Sequence, residues 1–380
     1  MGLGGMSVIA NHFGGVWMQI KVSRLSLINN LKNLNLTNKL LLLEATEKSL
    51  EITISNEFTV TRTFIVENIE IVAIGSLIMQ ANLFFEIIDK LRTDEISIAC
   101  TGNKAKIKSG QTQMDVSVLD AIAKRTVEKP ENWLFTLDGQ VLKSFIKCVM
   151  HAVDKKDSTN VALTGVRLKL ESDCLSVTGC NGSQLAHLRT EIQDSPEFEI
   201  VISEEHAKLL QGFIHDGDAL RFAIKGNDAV FATDTHTFYL RLLDAKFPPV
   251  DSLLDKEVIA SAIVNVDDLV KSIDISTIAA HRAKGGIVEI LVKLADNTLS
   301  IMSKSQLGRS VDIVPLSNCE GANVSVVCDA RFLRSAVKSA DRESVKIGFV
   351  GHEAPIIIDS QKFGKFLIQA RRKGREWDGE

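Results

Sequence analysis

Arg331, Arg334, Lys338 and Arg342 stand at i, i+3, i+7 and i+11. On a helix turning about 100° per residue, the four fall within about 80° of one another. Phe332, Leu333, Ala336 and Val337 take the opposite side. Such a helix can bury its apolar stripe and offer the cationic one to a polyanion. Contacts of that kind go to phosphate oxygens, so they weaken with salt and carry no base sequence. Lys143 and Lys147 repeat the idea at i and i+4, with Lys155 and Lys156 in the loop that follows. His281, Arg282 and Lys284 make a third cluster, and Arg24, just after a capping Ser23, is counted with them. An ordinary solvated face would explain any one cluster. Three clusters at equivalent places in a repeated chain point to nucleic acid.

Bond-making chemistry needs other constellations. The eight histidines form no HExxH motif and no pairing with cysteine. The six cysteines include no CxxC pair and no zinc spacing, which is the pattern of reduced thiols in a cytoplasmic protein. There is no Walker loop, no GxGxxG and no GxSxG. Asp234 and His236 could be imagined in a triad with a serine, but their spacing does not support one. The expectation is therefore no catalytic residue, no metal and no cofactor.

The elements that must carry these residues follow from periodicity. From Val161 to Arg189 the chain reads VALTGVRLKLESDCLSVTGCNGSQLAHLR. Val166, Leu168 and Leu170 alternate with Arg167 and Lys169, the period of a half-buried strand. Glu171-Ser172-Asp173 is a polar turn, and Leu175 and Val177 open a second strand. Asn181-Gly182-Ser183 turns the chain again, because Asn and Gly tolerate positive φ.

A longer pattern recurs three times. A short strand, a capping residue and an amphipathic helix appear at Ile20 to Leu31, Leu134 to Val149 and Ala262 to Ile273. Ser23, Asp138 and Asp267 are the expected N-caps, since their oxygens accept from unpaired first-turn amides. The second half of each unit repeats too, with helices predicted over Leu83–Leu91, Ala207–Phe213 and Phe332–Val337. Each is followed by two alternating strands: Ile96–Ile98 with Ala105–Ile107, Leu220–Ile224 with Ala229–Ala232, and Val345–Phe349 with Ile356–Ile358. Ser23 and Asp138 are 115 positions apart and Asp138 and Asp267 are 129 apart, too far for a solenoid. Three tandem domains are expected: 18–129, 130–255 and 256–380, after an extension over 1–17. At 380 residues, 45% hydrophobic and 24% charged, the chain has the composition of a multidomain globular protein with no membrane span.

The 161–189 stretch resembles the middle domain of the bacterial DNA sliding clamp, the beta subunit of DNA polymerase III. In that family an LTG-type strand precedes a strand ending in a TATDGHRLA-type segment. Here Val177-Thr178-Gly179-Cys180-Asn181-Gly182-Ser183-Gln184-Leu185-Ala186 keeps the frame, with Ser183 and Gln184 in place of the usual His and Arg. The triplicated pattern extends the resemblance from Met18 to about Arg372. An RPxLPIL-like loop is shortened here to Asn33–Asn38, and a Pro-x-Arg ending is replaced by Gln369-Ala370-Arg371. Val161 and Ala162 stand where many clamps have Tyr. These departures suggest a divergent clamp of a phage or mobile element.

The resemblance implies an α+β fold of three clamp domains, each with two helices packed on antiparallel sheets, closing into a homodimeric ring. It implies a processivity factor that encircles double-stranded DNA without reading it. Polymerase catalytic subunits and clamp loader peptides would dock in an apolar pocket of Leu163, Cys180, Gly182, Leu185, Pro248, Leu253 and Ile368, with Phe247-Pro248-Pro249-Val250 resembling the FPDY-type segment. The head-to-tail contact would join Met114, Val116 and Val118 on an edge strand to Ile278 and Ala279. No membrane partner is implied. A degenerate clamp that still binds peptides but grips DNA weakly is an alternative, and an α+β hydrolase or transferase on a repeated scaffold is another.

Overall fold

A computed structural model describes residues 18–32, 34–119, 127–155, 159–280, 286–306, 308–340, 342–360, 364–374 and 377, and the backbone alone of 282–283. Lys156, Lys284 and the 1–17 extension lie outside the described residues, as do the side chains of Arg282 and Ala279.

Six α-helices occur among the described residues: α1 (Arg24–Leu31), α2 (Ala81–Lys90), α3 (Gly139–Val149), α4 (Glu204–Phe213), α5 (Val266–Ala279) and α6 (Ala330–Ser339). The two-part unit read from the sequence recurs in this order three times, each helix preceded by a strand. Caps explain where the helices start. Ser23 Oγ accepts from Ser26 N, Asp138 Oδ1 from Gln140 N, and Asp329 Oδ1 from Arg331 N. At α5 the expected cap is displaced by two residues. Asn265 accepts from Asp267 and Asp268, so Asp267 sits in the first turn, where its charge complements the helix dipole.

The buried faces are those of a helical stripe. Leu142, Phe145, Ile146 and Val149 are buried on α3, and Leu269, Val270 and Ile273 on α5. Leu25 and Leu83, apolar residues within the first two predicted helices, are 55% and 43% exposed. Leu25 stands two residues from buried Leu27, and Leu83 one residue from buried Phe84, which turns each off the buried arc.

The strands are antiparallel throughout the sheets described here. The chain forms two compact units, one running to Gln140 with Gly212–Arg241, the other comprising Val141–Gln211 with Leu242–Glu380. In the first, a five-stranded sheet runs from strand Ile69–Ala73 at one edge to Thr112–Ser117 at the other. An eight-stranded sheet in the same unit is continuous because Thr59–Ile65 pairs with His236–Arg241, placing Val60 opposite Tyr239. The main core of this unit packs Ile20, Leu27, Leu31, Phe84 and Ile98.

In the second unit a nine-stranded sheet is joined in the same way, Gln184–Glu191 pairing with Gly364–Ile368 so that Leu185 faces Leu367. A further sheet holds Ile287–Ala295, Thr298–Ser305 and Gly308–Val314, with Val324–Asp329 paired on its other side. The three expected strand pairs form, with Ile98 opposite Ile107, Ile224 opposite Ala229 and Ile347 opposite Ile358.

The hairpin expected over 165–180 forms, with two refinements. Ser172 and Asp173 have φ of 49° and 58°, the left-handed pair a tight two-residue hairpin turn requires. Val161–Thr164 is a short 3-10 turn, and the strand begins at Gly165. At Gly179 a Cβ would lie 2.6 Å from the carbonyl oxygen of Val149, so only glycine lets the end of α3 rest directly on this strand.

Candidate functional site

Strand Gly165–Glu171 was expected to bury one face. It buries part of the other as well: Val166, Leu168 and Leu170 are buried, Arg167 is only 2% exposed, and Lys169 and Glu171 are progressively more open. That part is covered by the chain from Phe247 to Leu254, which includes a 3-10 turn at Asp251–Leu253. Arg167 Nη2 donates to Asp251 Oδ1 at 2.5 Å and to Thr178 Oγ1 at 3.3 Å, and Nη1 donates to Asp251 Oδ2 at 3.4 Å. Its guanidinium lies 5.0 Å over the ring of Phe247. A charge removed from water this completely needs such a set of partners.

The same segment closes an apolar cluster. Ala162, Cys180, Leu185, Val201, Phe247, Val250, Leu254 and Leu367 are buried together, with Leu163, Leu243, Ala245 and Leu253 packed against them. Of the expected pocket residues, Leu163, Cys180, Leu185 and Leu253 belong to this cluster. Pro248 stands half-buried beside it, and Gly182, φ +81°, is exposed in the turn after Cys180. Ile368 also lies outside the cluster. It is fully buried, and its neighbour Leu367 takes the place in the cluster. Successive strand residues face opposite ways, so Leu367 and Ile368 lie on opposite faces of their strand.

On the far side of Asp251 lies a polar cavity of about 360 Å³, lined by Lys169, His187, Arg189, Asp251 and Lys365 among others. His187 Nδ1 is 3.0 Å from Thr178 Oγ1. Burial, and then the positive charge of Arg167, lower its pKa to about 4, so it is neutral at pH 7. Burial opposes ionisation of Asp251, but the hydrogen bond and charge of Arg167 outweigh it and hold this carboxyl below its usual range.

The cationic stripe of α6 is only partly free. Arg331 binds Asp329, Nη2 to Oδ2 at 2.5 Å, and Asp329 is 4% exposed at the helix cap. Arg334 binds Asp274 of α5 through Nε and Nη2, at 2.5 and 3.0 Å. Lys338 is exposed. Arg342 does not share this face by helical spacing, because α6 ends at Ser339. Phe332 is half-buried beneath the Arg331 guanidinium, at 5.7 Å, rather than in the core with Leu333, Ala336 and Val337. Lys147 on α3 and Lys155 in the following loop are exposed, and Lys143 is half-buried. Arg24 is half-buried at the start of α1, with Nη2 donating to the Asp89 carbonyl at 3.2 Å.

Two α3-side groups meet α6. Gln184 Nε2 donates to the His151 carbonyl at 2.7 Å and its Oε1 lies 3.5 Å from Ser335 Oγ. His151 Nδ1 stands 2.8 Å from the Cys148 carbonyl and 3.1 Å from Ser339 Oγ. Gln184, noted in the sequence only as a replacement, is thus a bridging residue.

Strand Thr112–Ser117 is an edge, as expected, but its residues divide differently. Met114 is 40% exposed, Val116 is 7% exposed, and Val118 is half-buried, both valines packing on their own unit's core. Ile278, in the last turn of α5, is 80% exposed. Val311 and Ile313, 49% and 64% exposed on strand Gly308–Val314, were not singled out. That strand is also a sheet edge. All six cysteines are free thiols. Among the described residues no group of three His, Cys, Asp or Glu could hold a metal ion, and no helix is long and apolar enough to cross a membrane.

Residues 136–249 match the family described as the DNA polymerase III beta subunit, central domain. A curated beta sliding clamp of Bacillus subtilis (strain 168) is 26% identical over 290 residues, 75% of this chain and 76% of that protein. The beta sliding clamp of Halalkalibacterium halodurans is 24% identical over 300 residues, 77% of this chain and 78% of that one. Over 136–249 the chain thus carries the central-domain pattern of that family, and over three quarters of its length it is similar to bacterial beta sliding clamps. Its fold agrees. The crystal structure of the DNA polymerase sliding clamp from B. subtilis superposes with a TM-score of 0.86 at 20% identity, over 94% of this chain and all of that one. The DNA polymerase III subunit beta from Pseudomonas aeruginosa gives 0.85 at 17%, over the same shares. Within this clamp fold, the burial of Arg167 against Asp251 and the Asp329 and Asp274 counter-charges are what the sequence did not announce. Asp251 directly follows the FPPV segment, but nothing in the spacing ties it to an arginine 84 positions earlier.

Proposed function

We propose that this chain is a DNA polymerase processivity factor, a clamp that tethers a polymerase to duplex DNA and makes no covalent change itself. The observation that carries this reading is the clamp fold over 94% of the chain, joined to sequence similarity with proteins named beta sliding clamp. In this reading the chain holds three clamp domains, 18–129, 130–255 and 256–380. Two copies close head-to-tail into a ring, and the protein works in the cytoplasm. The strand edge at Thr112–Ser117, with Met114, meets the surface of Ile278, Val311 and Ile313 on the next copy. An edge covered in this way hides its unpaired amides. The cluster around Leu163, Leu185 and Leu253 takes an apolar peptide of a polymerase or clamp loader. Arg24, Lys143, Lys147, Lys155, Lys156, Arg282, Lys284, Arg331, Arg334, Lys338 and Arg342 supply phosphate contacts.

A second reading is a clamp with a weak grip on DNA that acts mainly as a protein-binding scaffold. The pairing of Arg331 and Arg334 with carboxylates favours it, since each pair removes a free positive charge. Retention on nicked circular DNA separates the two. A processivity clamp loaded on the circle stays bound and is lost when the circle is cut. A scaffold shows no difference between circle and line.

A further inference from the structure

The segment from Phe247 to Leu254 is gripped by two kinds of contact. Towards one side Phe247, Val250 and Leu254 enter the apolar cluster with Leu185 and Leu367. Towards the other, Asp251 reaches the Arg167 guanidinium, which also covers the Phe247 ring. One buried side chain therefore holds the segment at its start and at its turn. Lys365 adds a third hold, Nζ donating to the Leu254 carbonyl at 3.2 Å. Apolar contacts alone are non-directional and let a surface segment slide or collapse. A forked guanidinium bonded to both carboxylate oxygens fixes position and direction together. If the segment lifted away, a 2% exposed guanidinium would lose its carboxylate, which opposes such motion.

We propose that Arg167 is a positioning residue for partner binding: it keeps Phe247–Leu254 in place as a ready-made side of the apolar cluster. This rests on the reading of that cluster as the floor of a peptide-docking cleft. A side already in place spares the partner the entropy cost of ordering it, and that saving appears as affinity. Arg167 itself touches no partner. It acts only through Asp251 and Phe247.

The experiment uses the full chain and a fluorescein-labelled synthetic peptide carrying two leucines and a phenylalanine, with binding read by anisotropy. Hydrogen exchange of the 247–254 amides is measured in parallel. Arg167→Met is expected to weaken peptide binding at least tenfold and to speed exchange over 247–254 at least tenfold. Exchange in strands Gly165–Glu171 and Cys174–Cys180, and the mass of the assembled particle, should be unchanged. Arg167→Lys keeps the charge without the fork and should recover part of the affinity.

Unchanged exchange over 247–254 in Arg167→Met overturns the proposal. So does faster exchange throughout the sheet, which would make Arg167 a general stabiliser, and so does faster local exchange with unaltered affinity. Should Arg167→Met not fold, the pair Arg167→Met with Asp251→Leu leaves no charge unpartnered and is read in the same way. Leu163→Asp tests the cleft independently. If it binds the peptide as the native chain does, the docking site is elsewhere and the proposal falls with it, whatever exchange shows for Arg167.

Discussion

Arg334 on α6 and Asp274 on α5 face each other, Arg334 Nε donating to Asp274 Oδ1 and Nη2 to Oδ2. The hydrogen bond from Arg334 holds Asp274 below the usual carboxylate range. The pair joins two neighbouring helices, and it also spends a cation that a polyanion could otherwise use. Asp329 does the same to Arg331 while capping α6. The net positive charge of this helix face is therefore smaller than its count of basic residues.

Replacing Asp274 by Asn should free Arg334 without removing volume. Both partners are more than a third exposed, so the cost in stability is small, below about 1 kcal/mol. DNA binding should tighten, and the slope of log affinity against log salt should steepen by about 0.9, one phosphate contact. Lys338→Glu should do the opposite. Equilibrium binding to duplex DNA at several salt concentrations measures both. If neither substitution moves the slope, this helix does not meet DNA.

His151 and His187 make the fold sensitive to acid. Burial lowers both to about 4 from an ordinary 6.5, helped at His187 by Arg167 and opposed at His151 by its hydrogen bond to the Cys148 carbonyl. The unfolded chain takes up these protons below about pH 6.5, and the folded chain does so only near pH 4. Stability is thus complete above pH 6.5 and falls as pH drops through that window, by about 3 kcal/mol per histidine at the lower end. Thermal midpoints at pH 7.5, 6 and 5 should decrease in that order. His187→Asn should remove part of the decrease, the rest coming from His151 and from His236, which burial also lowers.

Much of the architecture was legible in the sequence because it is written in local patterns. Alternation gave the 165–171 and 174–180 strands, and the Ser172-Asp173 turn gave their pairing. Ser23 and Asp138 announced helix starts, whereas Asp267 marked one two residues late, after the true cap Asn265. What could not be read was supplied by distant chain. The alternation of Val166, Leu168 and Leu170 says which residues share a face. It does not say that a segment 80 positions on will cover part of the other face and bury Arg167. Basic residues on α6 show their sign, but Asp274 is remote in sequence and leaves no mark near them. Val116 alternates correctly with exposed neighbours, yet the strand turns that face to its own core. Leu367 and Ile368 are equally apolar, and only the register opposite Gln184 and Leu185 separates them.

Gly179 tests how closely α3 rests on its sheet. A methyl group there would meet the Val149 carbonyl at 2.6 Å and Val153 Cγ2 at 3.3 Å. Backbone cannot retreat as a flexible side chain can, so Gly179→Ala should cost about 1–3 kcal/mol. The thermal midpoint should fall by several degrees. Lys147 and Lys155 ride on and after this helix, so DNA affinity should fall with it. An unchanged midpoint would mean that the helix end shifts freely.

Ile278 is the sharpest test of assembly. At 80% exposure, an isoleucine on a free surface gains nothing from being apolar, and Ile278→Asp should leave the folding of a lone copy nearly unchanged. If a second copy covers it, the same substitution places a charge in an apolar contact. Losing a buried isoleucine alone removes about 2–3 kcal/mol, roughly a hundredfold in the dimer dissociation constant. Ile313→Asp, on the neighbouring strand edge, should act in the same direction, and Met114→Asp should do so from the opposite edge. Native mass spectrometry over a concentration series would show the native chain as a dimer and all three variants shifted towards monomer, with thermal midpoints of the monomer preserved. A variant set that keeps the dimer mass would move the contact to another surface, because three exposed apolar side chains cannot all lose their cover without a change in the equilibrium.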